Sequence, residues 1–121
     1  MYDLIDRPVD DLPSFEKTVL QRMRRWVHAL TTIGSAPADI GDDSFGAAMT
    51  TLDSGSVEEI ELQRPCFSTV TESEAVLVAL WRLVRADRLA AARATASRLV
   101  DEASARAMLA AMIRADAALP A

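Results

Sequence analysis

Apolar positions recur at helical spacing along most of the chain. From Ser14 to Ile33, Phe15, Val19, Met23, Trp26, Val27, Leu30 and Ile33 fall on one arc of a helix with about 3.6 residues per turn. Lys17, Gln21, Arg24, Arg25 and His28 fall on the opposite side. The spacing predicts an amphipathic helix over 14–33, with Asp11 or Ser14 capping its start and Gly34 supplying the left-handed turn that ends it. Ahead of it, residues 1–13 carry Pro8, Pro13 and four aspartates and read as an extended arm. Leu4, Ile5, Val9 and Leu12 are its docking side chains.

Pro37, Gly41, Gly46 and Gly55 break the next stretch, leaving a short helix over 43–52 with Phe45, Met49 and Leu52 inward. Residues 57–63 alternate only imperfectly, and no second segment could pair with them as a strand, so a short helix or extended connector is expected. Thr71-Glu72-Ser73-Glu74 has the Thr-x-x-Glu spacing of a capping box directly before an apolar run. It predicts a central helix over 72–86, with Val76, Leu77, Leu80, Trp81, Leu83 and Val84 inward and Val78, Arg82 and Arg85 toward solvent. Asp87 ends it and caps a helix over 88–100, with Leu89, Ala92, Ala96, Leu99 and Val100 inward. Asp101 caps the last helix, over 102–117, where Ala105, Met108, Leu109, Met112 and Ile113 follow the apolar repeat. The expected architecture is an all-α, single-domain bundle of about five helices over residues 14–121.

Length and composition narrow the classes. A 121-residue chain of 13.1 kDa hides about 12,000 Å² on folding, enough for a core without disulfides or metals. Cys66 is the only cysteine, so no internal disulfide forms, and no apolar run reaches the roughly 18 residues of a membrane span. Five acids in the first twenty residues argue against a secretory signal, and a cytoplasmic location is expected. There are 22 alanines and 12 arginines but one lysine, a bias that fits a GC-rich bacterial genome before it says anything of mechanism. Alanine makes the late helices secure while thinning their bulky core, which suggests packing on the Trp26 or Trp81 helix or on another subunit. Net charge is uneven: 0 over residues 1–35, −8 over 36–74 and +3 over 75–121. An acidic middle between neutral and basic ends complements those ends or meets a basic partner.

The chain from Arg64-Pro65-Cys66 through Thr71-Glu72-Ser73-Glu74 into Ala75-Val76-Leu77 resembles small uncharacterised helical proteins of α-proteobacteria. The resemblance implies a bacterial cytoplasmic protein and brings no activity with it. Those proteins often carry more than one cysteine here, where this chain has Phe67 and Ser68 after Cys66, which counts against a metal or redox centre.

Residues able to carry chemistry are scattered. His28 lies among cations on the polar face of its helix, with no carboxylate to orient it and no further metal ligands beside it. Cys66 is either a small buried hydrophobe or a loop thiol made reactive by Arg64 and a helix start. Asp39, Asp42, Asp43, Glu58, Glu59 and Glu61 invite a divalent cation but lack calcium-loop spacing, and only Glu58 and Glu61 form a Glu-x-x-Glu pair. Phosphate loops, dinucleotide fingerprints and nucleophile elbows do not occur. The arginines of the last helices point in several directions and Asp101-Glu102 would repel phosphate, so nucleic acid is not the expected partner. The expectation is a non-enzymatic interaction or regulatory module, a homodimer being one form, without cofactor, metal or membrane partner. Its candidate face is Lys17, Gln21, Arg24, Arg25 and His28. The alternatives are a metal- or thiol-dependent enzyme or sensor using Cys66 and the clustered acids, and a nucleic-acid adaptor.

Overall fold

The computed structural model describes residues 4–33, 44–56, 62–63 and 66–118. The fold is all-α, with five helices: α1 Ser14–Ile33, α2 Ser44–Gly55, α3 Glu72–Arg85, α4 Leu89–Leu99 and α5 Glu102–Ala118. A single 3-10 turn, Val9–Asp11, precedes α1. No helix among the described residues is long and apolar enough to cross a membrane. The chain forms two compact units, one of residues 1–37 and 61–79, the other of 38–60 and 80–121, with α3 contributing its first half to one and its second half to the other.

The first unit is built on α1. Val19, Leu20, Met23 and Trp26 of α1 are buried, as are Ala75, Leu77 and Val78 of α3. The N-terminal arm docks through Leu4, Val9 and Leu12, all buried. Its backbone pairs with the segment before α3: Asp6 N–H donates to Val70 C=O (2.8 Å), Val9 N–H to Ser68 C=O (2.8 Å) and Val70 N–H to Arg7 C=O (3.0 Å). Val78 departs from the expected solvent position and is fully buried. It lies one turn after Glu74, and both face the same interior side of the helix.

In the second unit α5 packs against α2 and α4. Phe45 of α2 stacks on Trp81 of α3, ring centroids 5.2 Å apart and 15° from parallel, and Met49, Met108 and Met112 are buried in the same unit. Arg85 Nε reaches Asp116 Oδ1 at 2.8 Å, tying the end of α3 to α5. Helix α3 stops at Asp87, which takes a left-handed φ of 59° while Arg88 N–H bonds Leu83 C=O (2.9 Å) and Asp87 N–H bonds Val84 C=O (3.1 Å). This is a Schellman closure. Asp87 therefore terminates α3 and is not the cap of α4, whose N-cap is Arg88 with no side-chain hydrogen bond.

Asp101 caps α5 as its position predicts: Oδ1 accepts from Ser104 N–H (2.9 Å) and Oδ2 from the Ser104 hydroxyl (3.0 Å). Those two bonds, the backbone one foremost, hold its carboxyl below the ordinary 3.8. Leu89 (40 % exposed) and Ile113 (44 %) leave the inward stripe assigned to them. Ile113 is eight residues past Ala105, about 80° round the helix and at the stripe's edge, whereas Ala111 and Ala115 are buried instead. Leu89 opens α4 in the exposed stretch 86–90 beside the Asp87 turn. The expected Gly34 stop and most of the 57–63 connector lie outside the described residues.

Helices α2 and α5 meet at Gly55, where Asp101 N–H donates to Gly55 C=O (3.1 Å) and Ser56 bridges Val100. A Cβ on Gly55 would overlap Oγ and Cβ of Ser104. Gly55→Ala is therefore expected to lower stability by about 1–3 kcal/mol, and adding Ser104→Gly should restore part of the loss. Thermal or urea unfolding of the single and double variants measures both.

Candidate functional site: a buried arginine clasp under the Cys66–Val70 loop

The first unit contains one fully buried ion pair among the described residues. Arg24 and Glu74 have side-chain exposures of 0 % and 0 %. The guanidinium grips the carboxylate with two donors, Nε to Oε2 at 2.7 Å and Nη2 to Oε1 at 2.8 Å. Its other contacts are main-chain carbonyls: Nη1 donates to Phe67 C=O (2.7 Å) and Nη2 to Thr69 C=O (2.8 Å). Glu74 accepts two further bonds, from Thr71 N–H at Oε1 (3.1 Å) and from Gln63 N–H at Oε2 (3.0 Å).

The local sequence explains the Glu74 side. The capping box forms as its spacing predicts, with Glu74 N–H donating to Thr71 Oγ1 (3.3 Å) while the Glu74 carboxylate returns to the Thr71 N–H. A glutamate in that role is aimed back at the helix start, and Arg24 meets it there. Burial alone raises the Glu74 pKa; the hydrogen bond from Arg24, the Thr71 and Gln63 amides and the Arg24 charge outweigh it and hold the carboxyl below the ordinary 4.5. An isolated buried charge would cost several kcal/mol, which is why a bidentate partner and a full set of hydrogen bonds accompany this one.

The clasp shapes the loop over it. Ser68 C=O and Val70 N–H face the N-terminal arm, while Phe67 C=O and Thr69 C=O face Arg24. The guanidinium thus stands where a third strand would satisfy alternate carbonyls. Cys66, Phe67 and Ser68 are left exposed, residue Phe67 40 % so, with the Arg24 guanidinium carbon 5.8 Å from the centroid of its ring.

The expected α1 face is revised by this arrangement. Arg24 is interior and cannot present a charge to a partner. It lies about 40° round the helix from the buried Leu20, next to the apolar arc, so its aliphatic stem continues that arc while its head finds Glu74. Arg25 and His28 are exposed, and Lys17 and Gln21 are half-buried. Arg25 Nε donates to Gln21 C=O (3.3 Å). Lys17 pairs with Asp10 at 3.2 Å, an exposed contact worth at most about 1 kcal/mol. Cys66 is exposed, against the small buried hydrophobe that cysteine usually is. Asp39, Asp42, Asp43, Glu58, Glu59, Glu61 and Arg64 lie outside the described residues, and among the described ones no three His, Cys, Asp or Glu gather. Sequence reasoning gave Phe67 no role; neither its periodicity nor its neighbours mark it, and only the carbonyl pairing of its loop turns it outward.

Both Glu74 oxygens accept two bonds each from donors of this chain and are shielded from solvent, so the pair holds structure. Glu74→Gln or Arg24→Met is expected to cost about 3–5 kcal/mol by stranding the other partner, whereas Arg24→Met with Glu74→Leu should recover much of it; urea unfolding distinguishes the three. Because the folded Glu74 pKa is lowered, its contribution is complete above the unfolded glutamate value and is lost as pH falls through the folded one. The stability of the native protein should therefore decline below about pH 4.5, with a shallower acid limb in Glu74→Gln, as read by unfolding across pH 2–7.

No protein-family model, no curated protein and no solved structure matches this chain.

Proposed function

We propose that the protein is a non-enzymatic protein–protein interaction or regulatory module, and that the Cys66–Ser68 tip with the neighbouring exposed residues of α1 is its contact surface. One observation carries this reading: a buried ion pair, each of whose polar atoms is hydrogen-bonded, is spent on fixing the backbone of a loop whose aromatic residue is left exposed. A partly exposed aromatic ring on a pre-ordered backbone binds with little loss of conformational freedom, the property of an interface anchor. Arg25 and His28, on the turn that follows Arg24, are the exposed polar residues of the same helix. Self-association and a different protein partner both fit this surface.

Phe67→Ser tests the proposal. Arg24 bonds the main-chain carbonyl of residue 67, so the substitution leaves the clasp in place and should cost no more than about 1 kcal/mol of stability. Light scattering after size exclusion and stoichiometric co-purification should show a dimer or a defined complex for the native chain, weakened about tenfold or more in the variant. A strict monomer with no stoichiometric partner would overturn the reading.

A further inference from the structure

We infer that the Cys66–Val70 loop and the arm segment paired with it form a strap that opens as one unit while α1 and the body of α3 stay folded, and that the Arg24–Glu74 clasp sets how often it opens. The inference gives the proposed contact surface its regulation, and rests on that reading only for its biological meaning.

The strap and the helices are anchored unequally. Of loop residues 66–70 only Val70 is buried, and of the paired arm residues 6–9 only Val9; Cys66, Phe67 and Ser68 are exposed and Thr69 is half-buried. The loop is held by polar bonds instead: two carbonyls to Arg24, and three backbone bonds to Asp6, Arg7 and Val9. By contrast, Val19, Leu20 and Met23 of α1 and Ala75, Leu77 and Val78 of α3 are held by buried apolar surface. A segment with few buried apolar contacts and many polar ones lies at the low end of local stability. The strap lies directly on Arg24, whose guanidinium bonds the Phe67 and Thr69 carbonyls. If the carboxylate no longer compensates the guanidinium, lifting the strap lets water reach the charge, a smaller rearrangement than parting the helices.

Native-state hydrogen exchange on the full chain tests this without any partner, so its failure is separable from failure of the docking proposal. In the native protein the amides of Asp6, Val9 and Val70 should share one opening equilibrium, insensitive to low urea and less protected than Leu20 and Met23. In Glu74→Gln those three amides should lose about a hundredfold or more in protection while Leu20 and Met23 stay protected relative to them. Should Glu74→Gln fail to fold, the urea dependence of the native protein still decides whether the strap opens as a unit, and Arg24→Met with Glu74→Leu reads the contribution of the clasp. Exchange of the three amides only through global unfolding, or through three unrelated openings, would overturn the inference.

Discussion

A guanidinium removed from water has to be answered donor by donor, and the first unit of this protein is arranged around that requirement. Arg24 commits two donors to Glu74 and others to the carbonyls of Phe67 and Thr69, and Glu74 takes amides from Gln63 and Thr71 in return. One pair of side chains thereby joins the middle of α1, the start of α3 and the loop before it. Such a pair adds little net stability compared with apolar groups of the same shape. What it does here is hold two carbonyls of the loop backbone on the guanidinium. The N-terminal arm completes the arrangement by taking the other edge of the same short stretch.

The second unit solves a different problem. Its helices are rich in alanine, which favours helix but offers little side-chain volume. Close approach replaces bulk: Gly55 lies against Ser104 with no room for a Cβ, and Ala92, Ala96, Ala105, Ala111 and Ala115 are buried. The larger volumes are concentrated in Phe45, Trp81 and the methionines. Polar bonds at the helix ends, from Ser104 to Asp101 and from Arg85 to Asp116, fix where the rods begin and meet.

The two solutions bear differently on function. In the second unit the polar bonds sit at helix ends and serve to place rods. In the first, a fully buried charge pair serves a loop, and the loop displays an aromatic ring beside an exposed thiol. Rigidity spent on an exposed segment is the feature that a packing argument alone does not require. It is the reason the Cys66–Ser68 tip is assigned the role of contact surface.

Much of the local structure was legible in the residues themselves. Helical periodicity placed all five helices to within a few residues, and the Thr71–Glu74 box and the Asp101 cap could be read directly because they are short-range bonds between residues three apart. The docking of Leu4, Val9 and Leu12 followed from their apolar character. Periodicity sorts residues by polarity, however, and so it put Arg24 in water, Val78 outside, and Leu89 and Ile113 inside. Arg24 is interior because Glu74, fifty positions away, is aimed at the same spot, a coincidence that no local window contains. The exposure of Phe67 and Cys66 likewise depends on which carbonyls meet the guanidinium and which meet the arm. Sequence by itself determined the rods and the caps at Thr71 and Asp101, since these depend on neighbours along the chain. Only the tertiary structure decided which charge is buried and which ring is shown, since those outcomes depend on pairings between distant segments.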